Sequence, residues 1–153
     1  MQIVQYQMLD MQNVVCCETD INSSDDRSIA QKVQELTREF GANERKKSMF
    51  VLKRNQERAA IEAILFPVGL PHSNADDRYK FKEKLHLESA LKIRHEGDWD
   101  MLENTIQCLD QFIEKRDLTR ITTYYCSVLT GLEDDELRDV IVDVYVGLSQ
   151  NIL

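Results

Sequence analysis

From Arg27 onward, apolar residues recur at three- and four-residue spacing, and this period constrains the fold more than any other feature of the chain. Such spacing lines one stripe of an α-helix, and the stripe must be buried against another element. Ile29, Val33, Leu36 and Phe40 predict a helix over 27–40, with Gly41 placed to close it. Asn43 caps a second helix, over 44–66, carrying Met49, Leu52, Ala59, Ala60, Ala63 and Ile64. The run Met49–Leu52 also fits a strand. Pro67, Gly69 and Pro71 end this element in a loop.

Ser73 to Asp76 form a capping box that opens a third helix, running to His95 with Phe81, Leu85, Leu87, Ala90 and Leu91 inward. Asp98 then caps a helix whose stripe is Trp99, Leu102, Ile106, Leu109 and Ile113. Asp117 caps the next, with Leu118, Ile121, Tyr125, Val128 and Leu132, although its β-branched and aromatic content leaves a strand as the alternative. Thr130 and Glu133 open a last helix bearing Leu137, Val140, Ile141, Val144, Leu148 and Ile152. Val140, Val142, Val144 and Val146 also alternate, as a strand would. The expected fold is all-α: a single-domain antiparallel bundle of about five to seven helices over 27–153. Residues 1–26 form an irregular segment or a short β-hairpin, since Val4, Tyr6 and Met8 alternate and Val14–Cys17 can make a second strand.

With 153 residues, 42% of them hydrophobic, the chain is long enough to bury one core. No apolar run spans a bilayer, and the first residues carry neither a basic nor a sustained apolar region of a secretory signal. An intracellular, cytoplasmic location with reduced thiols is expected for Cys16, Cys17, Cys108 and Cys126. Adjacent cysteines rarely reach disulfide geometry, and no C-x-x-C is present.

The net charge of −8 lies entirely in residues 97–153, where twelve acids face four bases. A nucleic-acid role would therefore sit in the first half. Residues 38–58 hold seven basic and three acidic side chains, a balance of +4. Arg45, Lys46, Lys47, Lys53, Arg54 and Arg58 are the candidate nucleic-acid or partner-binding residues, covering one side of the expected helix. The bland reading is a solvated face, or one paired with the acidic second half.

Other constellations carry less chemistry. Glu83 and His86 make a Glu-x-x-His, as in di-metal bundles, but Lys92 stands where a second Glu would precede His95. His72 beside Ser73 lacks an oriented third group, with Asp76 and Asp77 the nearest acids. The acidic run Glu133–Glu136 reads as helix capping. No catalytic residue, cofactor or metal ligand is assigned. Glu96-Gly97-Asp98-Trp99-Asp100 resembles the turn of a tetratricopeptide repeat over about 30 residues. Glu103 stands where that family has alanine and no second copy follows, so the segment reads as a generic helix–turn–helix.

The function expected is non-enzymatic: a regulatory or adaptor module that binds a protein partner through a helical groove, or a second copy through a dimer face. The alternative is a nucleic-acid-binding regulator using residues 38–58.

Overall fold

The computed structural model describes residues 2–22, 26–40, 48–55, 58–68, 79–131 and 137–149. Its elements are β1 (Ile3–Asn22), α1 (Asp26–Phe40), β2 (Met49–Asn55), β3 (Arg58–Pro67), β4 (Lys80–Gly97), a 3₁₀ turn (Trp99–Met101), α2 (Leu102–Lys115), β5 (Arg120–Thr130) and β6 (Val140–Leu148). The strands close a barrel in the order β1-β3-β2-β5-β6-β4, with every pairing antiparallel. The helical bundle is thus overturned. Where they are described, the helices expected over 44–66, from Ser73 to His95, after Asp117 and from Thr130 onward are replaced by strands β2 to β6 and the short connections between them. The N-terminal segment is one long strand paired with β3 and β4, rather than a hairpin.

The element order is strand–helix–strand–strand, twice over. Exchanging β1 with β4, β2 with β5 and β3 with β6 reproduces the same barrel order read backwards. The two halves are therefore related by an approximate two-fold exchange.

Side chains alternate across a strand, so each strand presents two faces. One face joins the helices in the main core. Phe50, Leu52, Ile64, Phe66, Tyr124, Cys126, Val142, Val144 and Val146 meet Leu36 of α1 and Leu102, Ile106 and Leu109 of α2 there. The other face gathers a second, strand-only cluster of Met11, Val14, Met49, Leu65 and Leu85, with Tyr125 and Tyr145 packed beside it.

α2 forms where its stripe was expected, and its ends are specified locally. The Asp98 carboxylate accepts the Asp100 N–H at 2.9 Å, capping the turn that leads in. Asp117 was expected to cap a following helix. It instead takes φ 53° and closes α2, with Asp117 N–H donating to Glu114 O and Leu118 N–H to Ile113 O. This is a Schellman closure with aspartate at the left-handed position usually held by glycine. The segment resembling a tetratricopeptide turn joins a strand to a helix, since Gly97 ends β4.

His95 fixes β4 to α2. Its Nε2 lies 2.8 Å from the Asp98 carbonyl, which can only accept, so Nε2 carries the proton and Nδ1 accepts from the Thr105 hydroxyl at 2.7 Å. The residue is buried and structural, not the ligand that a repeated Glu-x-x-His would require.

Candidate functional site

The second cluster borders a cavity of about 490 Å³. Strand register dictates its walls. Cys16 lies opposite Leu65, Leu65 opposite Met49, and Met49 opposite Ser127. In the neighbouring row Ala63 faces Val51, Val51 faces Tyr125, and Tyr125 faces Tyr145. Directly opposed residues share a face, so β1, β3, β2 and β5 contribute to one surface, which Tyr145 extends onto β6. Phe81, Lys82 and Leu85 of β4 complete the lining with Val14 and Cys16 of β1.

The interior is apolar apart from a thiol and a phenol. Burial pushes the Cys16 thiol up, aided by the nearby Glu18 and Cys17, while Lys82 and then Lys80 pull it down. Burial also raises the Tyr125 hydroxyl, with a further contribution from Cys16. β1 and β5 are separated by β3 and β2 in the barrel order, so this influence acts across the concave face. Both groups are neutral at ordinary pH and offer hydrogen bonds rather than charge.

Charge sits among the lining residues as Glu18, Glu62, Lys80 and Lys82. Lys80 Nζ lies 3.3 Å from Glu18 Oε1, in an exposed pair. Further along, Arg94 Nε and Nη2 donate to the two carboxylate oxygens of Asp143 at 2.8 and 3.1 Å. Asp143 is buried and Arg94 half-exposed. Burial and the Asp143 charge raise the Tyr145 hydroxyl, and Arg94 opposes this. A second hollow, of about 570 Å³, lies between the end of β4 and the start of α2, lined by Arg94, His95, Glu96, Met101, Asn104 and Thr105.

The residues singled out in the sequence fall elsewhere. Arg45, Lys46 and Lys47 lie outside the described residues. Lys53 and Arg54 belong to β2 and Arg58 to β3, in the register Lys53↔Ala60, Arg54↔Ala59 and Asn55↔Arg58. This is a strand pair, not the helix side expected there. Glu83 and His86 are on β4, where residues three apart point to opposite faces. His86 instead neighbours Asp10 at 3.4 Å and Glu88 at 3.7 Å. His72, Ser73, Asp76, Asp77 and the run 133–136 lie outside the described residues. Among the described residues, no group of three or more His, Cys, Asp or Glu is arranged to hold a metal ion.

Sequence reasoning missed Cys16, Val51, Leu65 and Tyr125 as cavity residues. Only strand alternation would have grouped them; Cys16 and Val51 had been placed in short apolar runs and Tyr125 in a helix stripe, and Leu65 had been placed in neither.

No protein-family model matches the chain, and no curated protein matches it by sequence. Solved structures do. The chain superposes on EcmrR in the EcmrR–DNA complex within EcmrR-RPo with a TM-score of 0.76 at 13% identity, covering 97% of this chain and 57% of that one. On the isolated EcmrR C-terminal domain the TM-score is 0.72 at 13% identity, with 97% of both chains covered. The fold is shared. A hydrolase from Listeria innocua also matches, with a TM-score of 0.58 at 9% identity over 97% of this chain and 92% of that one. The chain thus spans somewhat over half of the EcmrR chain in the DNA complex, and nearly all of the isolated C-terminal domain. Among the described residues, no helix is long and apolar enough to cross a membrane.

Proposed function

We propose that this chain is the ligand-sensing module of a DNA-associated transcription regulator. The observation that carries the reading is the apolar cavity on the helix-free face. Its volume of about 490 Å³ falls within the range of small-molecule sites, and its few polar groups suit orientation of a ligand. The likeness to EcmrR supports the regulator setting, since this chain spans the EcmrR C-terminal domain. The helical-groove adaptor loses its basis, because both helices pack on the main core. No catalytic step is assigned. The one cysteine lining the cavity, Cys16, is a raised-pKa thiol, and a thiolate would be needed for nucleophilic work.

The test is displacement of an environment-sensitive apolar dye. Wild-type protein should bind the dye, and Ala63→Trp, which fills the cavity from β3, should abolish binding while keeping the thermal midpoint. Equal dye binding by both proteins, or by neither, overturns the reading.

Direct DNA contact through residues 38–58 is a second reading, favoured by their +4 balance and by the DNA-bound neighbour. It predicts retention on DNA that weakens steeply with salt. Replacing Lys46, Lys47, Lys53 and Arg54 with Glu should abolish that retention; unchanged retention refutes it.

A further inference from the structure

We infer that the cavity selects an uncharged ligand: a largely apolar molecule carrying a carbonyl-type oxygen that accepts the Tyr125 hydroxyl. The inference rests on the ligand-sensing reading and names the ligand class of that same site. The wall divides by burial. Val14, Ala63, Leu65 and Leu85 are buried, and Val51 and Phe81 are half-buried. The four charged lining residues, Glu18, Glu62, Lys80 and Lys82, are all exposed. Two carry each sign, so the rim as a whole favours neither cation nor anion. Lys80 and Glu18 already meet at 3.3 Å.

An ion seated in the interior would leave water without reaching a buried counter-charge, which weakens binding roughly a hundred-fold or more. An ion held at the rim gains at most about five-fold from a solvent-accessible pair. The interior therefore disfavours charge more strongly than the rim rewards it. Cys16 and Tyr125 are the polar lining residues that are not exposed. Among the described residues, neither side chain makes a hydrogen bond. Val51 and Tyr145 oppose Tyr125 on the two neighbouring strands and hold its ring on the concave face. Burial keeps its hydroxyl protonated, as a donor directed at the cavity. The Cys16 thiol is the weaker donor, and it stands three strand steps away in the barrel order. A ligand oxygen on Tyr125, with the apolar body extending towards Cys16, suits both walls.

The experiment is displacement of the dye by four naphthalenes of similar shape: 2-acetylnaphthalene, 2-isopropenylnaphthalene, 2-naphthoate and 2-naphthylmethylammonium. The ketone should displace the dye at the lowest concentration. The isopropenyl compound lacks the acceptor and should be about five-fold weaker, the scale of one hydrogen bond. Each ion must sit at the rim and should be weaker than the ketone by about ten-fold or more. Tyr125→Phe should reduce the ketone to the affinity of the isopropenyl compound and leave the latter unchanged, with thermal melts checking that the variant folds. A readout on the wild-type protein needs no variant: saturating ketone should slow N-ethylmaleimide labelling of Cys16, followed by peptide mass, and leave Cys108 on α2 unaffected. An ion as potent as the ketone, equal potency of the ketone and the isopropenyl compound, a ketone preference that survives Tyr125→Phe, or an unprotected Cys16 overturns the ligand class and leaves the cavity reading standing. Failure of all four naphthalenes while the dye still binds also overturns it. Failure of naphthalenes and dye together overturns the ligand-sensing reading itself.

Discussion

Replacing Ile106 and Leu65 by alanine, one at a time, separates the two faces of the barrel energetically. Ile106 is completely buried between α2 and the sheet. Alanine there removes roughly three methylene equivalents at about 0.8 kcal/mol each, a transfer loss of about 2.4 kcal/mol. The void left behind costs about 24 cal/mol per Å³, so a residual void of about 60 Å³ adds about 1.5 kcal/mol. The expected loss is about 4 kcal/mol. Leu65 is also apolar and only 5% exposed, but it borders a cavity of about 490 Å³ that already exists. Its neighbours have no contacts to lose on that side, so the void contribution falls away and about 2.4 kcal/mol remains. In a chain of this length 1 kcal/mol moves the midpoint by about 3 °C, so Ile106→Ala should melt about 5 °C below Leu65→Ala. Urea unfolding with an unchanged m-value gives the free-energy difference directly. Equal losses at the two positions would refute the claim that Leu65 faces a cavity rather than a filled core.

Three further outcomes are expected. Gly131→Ala should lower stability by about 2 kcal/mol or more in thermal unfolding, because its φ is +100° and an added Cβ would lie 2.6 Å from the Asp139 carbonyl; an unchanged midpoint would contradict this. Asp117→Gly should raise the midpoint, since glycine takes the left-handed closure of α2 at lower cost, by about 0.5–1 kcal/mol; a lower midpoint would count against the Schellman assignment. Tyr124 is buried and donates its hydroxyl hydrogen to Asp110, and burial followed by that bond pushes its pKa up to about 12. The folded state therefore holds this proton more tightly than the unfolded chain, so the stabilisation is complete below pH 10 and is lost as pH rises towards 12. Wild-type protein should lose stability across that window more steeply than Tyr124→Phe, and equal slopes would exclude the coupling.

Two helices were legible in the sequence because their signals agree. In α2 the stripe, the Asp98 cap and the apolar neighbour Trp99 all point to one element. The strands were misread for three physical reasons. β3 is buried on both faces from Ala63 to Pro67, so it shows a continuous apolar run without the period of two. β1 was expected as two short strands or an irregular segment, because Asn13 at φ 54° breaks the alternation and puts Met11 and Val14, three apart, in the same cluster, hiding one continuous strand. In β5, Ile121, Tyr125 and Val128 step by four and three, yet Ile121 is exposed, whereas Tyr125 lines the cavity and Val128 the main core. There the β-branched and aromatic content was the better guide than spacing. The cavity could not be read at all, since its walls come from five strands whose neighbours are set by the barrel order.

The exchange of the two halves fixes how the chain must assemble. The barrel has two seams, β2 against β5 and β1 against β4, and each joins one half to the other. The second seam brings Ile3 against Ile93, so the chain must close a very long loop before that edge gains anything. Neither half holds enough strands to close a barrel by itself. Refolding should accordingly be slow and all-or-none, and two fragments broken between Val68 and Tyr79 should be unstructured apart and recover the native spectrum only when mixed.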